Sequence, residues 1–185
     1  GKQDQYAVAC GGLNFIEFNR DDTVTVSPLI LKPGLKRELQ NNLVMFYTGI
    51  THDANVILAE QKKNISQDDK TRNLIEMCRL AREMKASLEA GNLQNFGEIL
   101  NEGWMRKKEL ASGVSNPRIN ELYNIAMENG AAGGKLLGAG GGGFLLFYCE
   151  KDQQKKLEEA LGLKKFEFSF EHDGTSVAHI GNKYW

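Results

Sequence analysis

Residues 134–148 read GKLLGAGGGGFLLFY, a glycine-rich segment that leads directly into an apolar run. Between Gly134 and Gly143 six residues are glycine, and four of these are consecutive. Because each glycine costs conformational entropy on folding, such a concentration indicates backbone that adopts positive φ or approaches a ligand closely. Exposed N–H groups in a loop of this kind can bind anions, above all phosphate. The segment therefore predicts phosphoryl chemistry.

The glycines match a familiar dinucleotide-binding pattern in their spacing but not in their context. Gly138, Gly140 and Gly143 satisfy G-x-G-x-x-G, yet that site requires a helix directly after the loop. Residues 144–149 are aromatic and aliphatic, which predicts a buried strand instead. No Lys-Ser or Lys-Thr pair follows, which excludes a P-loop, and the protein-kinase motifs do not follow either. A tight glycine-rich hairpin without a ligand stays the structural alternative.

The composition excludes several classes of function. The chain has 185 residues, 41% of them hydrophobic and 25% charged, with a formal net charge of −1, which suits one or two compact domains. Without a dense basic stripe, nucleic-acid binding is not expected. Cys10, Cys78 and Cys149 form no C-x-x-C pair and predict buried thiols in a reducing compartment. The sequence predicts no metal site, signal peptide or membrane span, so we expect a cytoplasmic location.

Hydrophobic spacing predicts an α+β fold with an antiparallel sheet and helices mainly on one face. Two short strands at residues 12–18 and 23–29, separated by a polar turn, predict a hairpin. Asn116-Pro117 is typical of a helix start. Further strands are expected at 43–48, 144–149, 166–170 and 176–180, and further helices at 35–40, 54–63, 72–89, 93–104 and 152–161.

The segment from Gly133 to Phe144 resembles the third conserved motif of the GHMP small-molecule kinases. This family groups galactokinase, homoserine kinase, mevalonate kinase and phosphomevalonate kinase. Residues 1–5, followed by Gly11-Gly12, are similar to the segment that carries the catalytic Asp in the sugar-kinase branch. Residues 46–49, 104–108 and 114–117 resemble the D-glycero-D-manno-heptose 7-phosphate kinases, with L-fucokinase-like C-terminal regions the next relatives.

The resemblance implies a domain organisation. Residues 1–34 would be the last segment of the family's N-terminal domain, with the catalytic-Asp loop and a hairpin. Residues 35–185 would be the ferredoxin-like C-terminal domain. The family's main phosphate-binding motif finds no match in these residues. We therefore expect the C-terminal part of a longer kinase, inactive without its N-terminal half.

The resemblance also implies roles for individual residues. Asp4 would accept or position the proton of the attacking sugar hydroxyl, although spacing alone favours a solvated carboxylate there. Lys108 would bind the phosphate of the substrate, with Arg106 and Lys107 as alternatives. Lys135 is equally well explained as a phosphate contact or as a solvated lysine. Substrate contacts would further come from Thr48 and Gly49, and nucleotide contacts from Gly138, Ala139, Gly140, Gly141, Gly142 and Gly143. ATP and Mg²⁺ would be the cofactors, with the Mg²⁺ ligands in the N-terminal half.

Two classes of function stay open from the sequence. The first is a kinase that phosphorylates the anomeric hydroxyl of D-glycero-D-manno-heptose 7-phosphate, as in lipopolysaccharide metabolism, or a fucokinase- or galactokinase-like enzyme. The second is a non-catalytic α+β binding module. The expected partners are a small sugar phosphate and the N-terminal half, with no nucleic acid or membrane, and the exposed hairpin leaves a homodimer open.

Overall fold

The computed structural model describes residues 2–51, 53–65 and 67–177. The chain divides into two compact units. One unit combines the segment up to Ile30 with the segment from Ser169 onward, and the other runs from Leu31 to Phe168. The larger unit contains the glycine-rich segment. The assignment of residues 1–34 to an N-terminal domain and of 35–185 to a C-terminal domain stays a prediction.

The smaller unit contains one helix and one hairpin. Helix α1 (Gln3–Cys10) precedes strands β1 (Asn14–Phe18) and β2 (Val24–Pro28), which pair antiparallel with Asn14 opposite Pro28. The predicted hairpin is confirmed. The prediction of a loop around Asp4 is wrong, because Asp4 lies in the first turn of α1. A carboxylate is favourable there, since it faces the positive end of the helix dipole.

The larger unit is an antiparallel sheet packed with helices, which confirms the predicted α+β class. Its elements are, in chain order, α2 (Leu35–Asn42), β3 (Leu43–Tyr47), α3 (Ala54–Asn64), α4 (Asp68–Ala90), α5 (Phe96–Lys108), a short 3₁₀ turn (Ser112–Val114), α6 (Pro117–Glu128), β4 (Ala131–Leu136), β5 (Phe144–Cys149), α7 (Gln154–Leu161) and β6 (Lys165–Phe166). The strands lie in the order β4-β5-β3-β6, and every neighbouring pair is antiparallel. Across the described residues, no helix combines the length and apolar character needed to cross a bilayer.

The core is built on alternate residues of the two central strands. Val44 and Phe46 of β3 lie opposite Phe147 and Leu145 of β5, and all four side chains are almost completely buried. Helix α6 covers them with a strip of buried side chains at helical spacing. The ring of Tyr123 in α6 lies 5.6 Å from that of Phe147, measured between centroids. This packing joins the helical layer to the sheet.

Helix α5 approaches strand β4 with almost no side chain between the two backbones. A Cβ atom built on Gly133 would overlap the carbonyl oxygen of Gly97, and one built on Gly97 would lie 2.5 Å from the Cβ of Ala132. Real Cβ atoms essentially never come that close. The pairing of α5 with β4 therefore depends on glycine at both positions.

The next residue of β4 is held by a side chain from α6. The backbone N–H of Gly134 donates to the Tyr123 hydroxyl at 3.2 Å. That hydroxyl has acceptors in Asn101 Oδ1 at 2.7 Å and in the Gly134 carbonyl at 3.1 Å. Burial raises the pKa of Tyr123 to about 12, so the hydroxyl stays neutral and able to donate at physiological pH. The phenol thus links α5, α6 and β4.

Three predictions about extent and exposure are wrong. The strand expected at 166–170 covers only Lys165–Phe166, because from Ser169 the chain belongs to the smaller unit and has left the sheet. Of the strand expected at 176–180, Ser176 and Val177 have no strand structure and the rest lies outside the described residues. Among the cysteines, Cys149 is buried, whereas Cys10 and Cys78 are exposed.

The α5–β4 contact can be tested with two glycines of one helix. Gly97→Ala places a methyl group against Ala132, and we expect it to lower the free energy of unfolding by about 1–3 kcal/mol. Gly103→Ala is the matched control, because its Cβ would meet nothing within 4 Å. In this control variant the free energy of unfolding should rise by about 0.5–1 kcal/mol, because alanine has a better helix propensity than glycine. Urea unfolding measures both, and equal effects would contradict the close approach.

Candidate active site

The glycine loop, defined as residues 137–143, connects β4 to β5 and is fixed at both of its inward-facing amides. The N–H of Gly141 donates to the Val114 carbonyl at 3.0 Å, and that of Gly143 donates to the Ile50 carbonyl at 2.8 Å. The Gly143 carbonyl in turn accepts from both the backbone N–H and the hydroxyl of Thr48, at 2.9 and 2.8 Å. The end of β3 and the 3₁₀ turn therefore set the path of the loop.

Three side chains from three different helical elements donate to carbonyls of the loop. Lys107, in the last turn of α5, donates to the Gly138 carbonyl at 2.5 Å. Asn116, which precedes α6, donates to the Gly141 carbonyl at 3.1 Å, and Gln61 of α3 reaches the Ala139 carbonyl at 3.4 Å. The sequence pattern missed Gln61 altogether. It indicated Asn116 only as a helix start, although the resemblance included residues 114–117.

Four glycines of the loop are required for two different reasons. A Cβ on Gly140, whose φ is +126°, would lie 2.7 Å from Val114 Cα, and a Cβ on Gly142 would overlap the Ile50 carbonyl. Here the protein's own backbone needs the missing side chain. Gly138 and Gly143 have φ of +72° and +96° with open space around the Cβ position. At these two positions the backbone conformation itself favours glycine.

Four amides of the loop have no acceptor among the residues that the structure describes. They belong to Gly138, Ala139, Gly140 and Gly142. Across the first three, φ is positive, negative and positive in turn, an alternation typical of the concave amide arrangements that bind anions. Such amides are the kind of donor that binds phosphate oxygens; Gly138 is exposed, Ala139 and Gly142 are half-buried and Gly140 is buried.

The structure brings some of the predicted site residues to the loop and not others. Thr48 is buried, and its hydroxyl is engaged with the Gly143 carbonyl and the Ile50 amide. Gly49 follows with φ of +73° and open space. The Lys108 ammonium lies 5.9 and 6.0 Å from the ring centroids of Trp104 and Tyr123, a cation–π arrangement. Thus Lys107, one of the alternatives, is the lysine that contacts the loop.

Lys135 projects from β4 into an apolar depression of about 250 Å³ between α4 and α5. Burial lowers the pKa of Lys135, because the surrounding apolar groups disfavour its charged form. The indole N–H of Trp104, which lines the same depression, has no acceptor among the described residues. Lys135 therefore lies beneath α5, three residues before the first loop glycine. The side chains lining the depression are those of Met77, Leu80, Ala81, Met84, Ile99, Leu100, Trp104, Lys107 and Lys135.

Asp4 is exposed on α1 and belongs to the smaller unit, whereas the glycine loop belongs to the larger one. Within residues 2–51, 53–65 and 67–177, no group of three or more His, Cys, Asp or Glu side chains converges as metal ligands do. Among the residues that the structure describes, none is therefore assigned to Mg²⁺.

The fold and the loop define a class of protein. Residues 84–167 match the family described as GHMP kinases C terminal. A mevalonate kinase from L. major, solved with R-mevalonate, shares the fold with a TM-score of 0.71 at 21% identity, covering 86% of this chain and 47% of that one. Residues 84–167 thus correspond to the C-terminal domain of the GHMP kinases.

Particular relatives are heptose-phosphate kinases. D-glycero-alpha-D-manno-heptose 7-phosphate kinase of Campylobacter jejuni is 35% identical over 97% of this chain and 54% of its own length. A D-glycero-D-manno-heptose 1-phosphate kinase from Bacteriodes thetaiotaomicron is 30% identical with a TM-score of 0.62, covering 94% of this chain and 47% of that one. The chain thus spans about half the length of the relatives it matches.

The different reasons for the glycines predict different costs of substitution. Gly138→Ala adds only the strain of a left-handed residue, and we expect it to cost about 1 kcal/mol. Gly140→Ala adds an overlap with the Val114 backbone to its backbone strain, and should cost about 3 kcal/mol. Thermal unfolding monitored by circular dichroism compares the two. Equal losses would mean that the loop does not pack against residue 114.

The burial of Lys135 makes stability depend on pH. Its folded-state pKa lies below the usual 10.5, so the unfolded chain binds this proton more tightly. This unfavourable contribution is full at neutral pH and fades as the pH rises from the folded-state pKa to 10.5. Lys135→Met should therefore increase the free energy of unfolding at pH 7 and flatten its alkaline slope. The exposed Lys156→Met is the control in urea titrations; equal effects would contradict the burial.

Proposed function

We propose that this chain supplies the C-terminal part of an ATP-dependent sugar kinase that phosphorylates the anomeric hydroxyl of D-glycero-D-manno-heptose 7-phosphate. The observation that carries the proposal is the 35% identity, over 97% of the chain, to the Campylobacter jejuni protein named for that substrate. The domain match at residues 84–167 supports the same class of enzyme. The fold alone would not select a substrate, since one fold hosts many functions.

The glycine loop is proposed to hold the phosphates of ATP. Phosphoryl transfer needs little covalent help from a protein, so positioning and charge stabilisation carry most of the rate enhancement. The amides of Gly138, Ala139 and Gly140 supply consecutive donors of the kind that stabilise phosphate oxygens. Lys107, whose ammonium is bonded to the Gly138 carbonyl, adds a positive charge beside them. Gly141 and Gly143 contribute through the backbone bonds that fix the loop.

The remaining site residues keep the roles that the resemblance implies. Asp4 is proposed to accept or position the proton of the attacking hydroxyl, which an exposed carboxylate can do once the sugar is bound. Lys108 is proposed to bind the 7-phosphate, for which its ammonium has to exchange the Trp104 and Tyr123 rings for the anion. Thr48 and Gly49 would shape the substrate side of the loop through the hydrogen bond of Thr48 to Gly143. Mg²⁺ would neutralise charge on the nucleotide.

The decisive experiment is a kinase assay on the chain alone and on the chain co-expressed with the N-terminal half of the Campylobacter jejuni relative. We expect ATP-dependent phosphorylation of D-glycero-D-manno-heptose 7-phosphate only in the pair. In the pair, Asp4→Asn should lower kcat by about 10²- to 10⁴-fold, as loss of a general base does. Asp22→Asn, at an exposed hairpin turn of the same unit, should leave kcat unchanged.

Assays with other sugars can contradict the proposed substrate. Heptose 1-phosphate, L-fucose and galactose are offered in parallel, because other relatives are named for a heptose 1-phosphate kinase, a fucokinase and a galactokinase. Preference for one of these sugars would assign the kinase to the branch named for that sugar and would contradict the proposed substrate. Absence of turnover in the pair, together with absence of ATP binding, would favour the non-catalytic binding module instead.

A further inference from the structure

The carbonyls of the glycine loop that accept from side chains are not randomly placed. They belong to Gly138, Ala139 and Gly141, and their donors are Lys107, Gln61 and Asn116 in that order. The donors come from α5, α3 and the residue before α6, so three separately packed elements hold one short loop. The backbone pairing of β4 with β5 already closes the hairpin, so these side-chain bonds act on the loop itself.

Peptide geometry gives these bonds a second consequence. In a trans peptide the carbonyl and the following N–H point in opposite directions, and the described residues contain no cis peptide. Holding the carbonyl of Gly138 therefore turns the N–H of Ala139 away from the helices. By the same geometry, the bonds to Ala139 and Gly141 turn away the N–H groups of Gly140 and Gly142. These three amides have no acceptor among the described residues.

Two of the three remaining peptide units of the loop point the other way, and the third carries the Gly138 amide, which also has no acceptor among the described residues. The N–H groups of Gly141 and Gly143 donate inward, to the Val114 and Ile50 carbonyls. Within the described part of the chain, the side-chain donors to the loop reach the carbonyls of Gly138, Ala139, Gly141 and Gly143, and not the preceding carbonyls of Gly140 and Gly142. Side chains thus hold the carbonyl before three of the four amides that have no acceptor, all but Gly138, and neither of the carbonyls before the two amides that donate to the fold.

We propose that Lys107, Gln61 and Asn116 are positioning residues that orient the amides of Ala139, Gly140 and Gly142 toward a phosphate group of a bound nucleoside triphosphate. The inference rests on the proposed phosphate-binding role of the loop and goes further by assigning one orienting side chain to each amide. A donor bonded to a peptide carbonyl also polarises the peptide unit and makes its N–H a stronger donor. The Lys107 ammonium, being charged, does this most strongly.

Asn116 is the best-defined of the three. Its Oδ1 accepts from the Ile119 amide at 3.0 Å as the N-cap of α6, which leaves its Nδ2 to donate to the Gly141 carbonyl. The side-chain amide therefore cannot reverse without losing both bonds. Gln61, at 3.4 Å, makes the longest of the three contacts and should contribute least.

The test separates orientation of the amides from general stability. In the co-expressed pair of the kinase assay, isothermal titration measures the affinity for AMP-PNP and for adenosine, which lacks phosphates. Asn116→Ser keeps an N-cap side chain and adds no charge, but removes the Nδ2 donor, and the shorter serine hydroxyl serves only the cap. Lys107→Met removes the ammonium, and Lys107→Arg restores a cationic donor. Gln61→Leu removes the third donor, and the exposed Lys156→Met is the control.

We expect Asn116→Ser and Lys107→Met each to weaken AMP-PNP binding about tenfold, which corresponds to one lost hydrogen bond. Gln61→Leu should weaken it about twofold, while Lys107→Arg and the control keep the wild-type affinity. Adenosine binding should stay the same in all variants, since a positioning effect acts only through the phosphates. A parallel loss of both affinities would indicate a structural role and overturn the inference.

The two proposals fail in different ways. If the wild-type pair binds AMP-PNP and turns over while the three donor variants bind it equally well, the positioning inference is wrong and the kinase proposal stands. If the wild-type pair neither binds AMP-PNP nor yields product, the proposed function fails and the inference fails with it. Because Asn116→Ser changes no charge, a selective loss in that variant cannot be ascribed to long-range electrostatics.

Discussion

The close approach of helix α5 to strand β4, where Gly97 meets Gly133 backbone to backbone, is the constraint on which the larger unit depends. It fixes the distance between α5 and the sheet, and this distance sets the position of the last turn of the helix relative to the glycine loop. There Lys107 meets the loop and Trp104 enters the core. A side chain at either glycine would push the helix outward and separate the lysine from the Gly138 carbonyl.

Much of this fold could be predicted from local pattern. The apolar strands at 43–48 and 144–149 and the helix after Asn116-Pro117 were predicted close to their observed bounds, because alternation and helical spacing are local properties. The strand expected at 166–170 ends at Phe166, since leaving the sheet depends on packing against residues distant in sequence. The helix at Gln3–Cys10 was missed because it lacks an apolar face; none of its residues is buried.

The candidate site was predicted in outline but not in detail. The glycine run located the loop, since a concentration of glycine is visible without any structure. The sequence could not decide between Lys107 and Lys108, because consecutive residues point about 100° apart around a helix and only packing fixes the rotation. Packing turns Lys107 to the Gly138 carbonyl and Lys108 over two aromatic rings. The role of Gln61 depends on where α3 docks, which no local pattern records.

Two of the four consecutive glycines lie against the chain's own backbone at Val114 and Ile50. Their absence of a side chain is therefore demanded by architecture, whatever the loop binds. A related protein that no longer bound substrate or nucleotide, or no longer catalysed the reaction, would still need these glycines in order to fold. The glycine motif is consequently better evidence of common ancestry than of activity. Proteins recognised by this motif alone should be classified as active or inactive enzymes from the side chains around the loop.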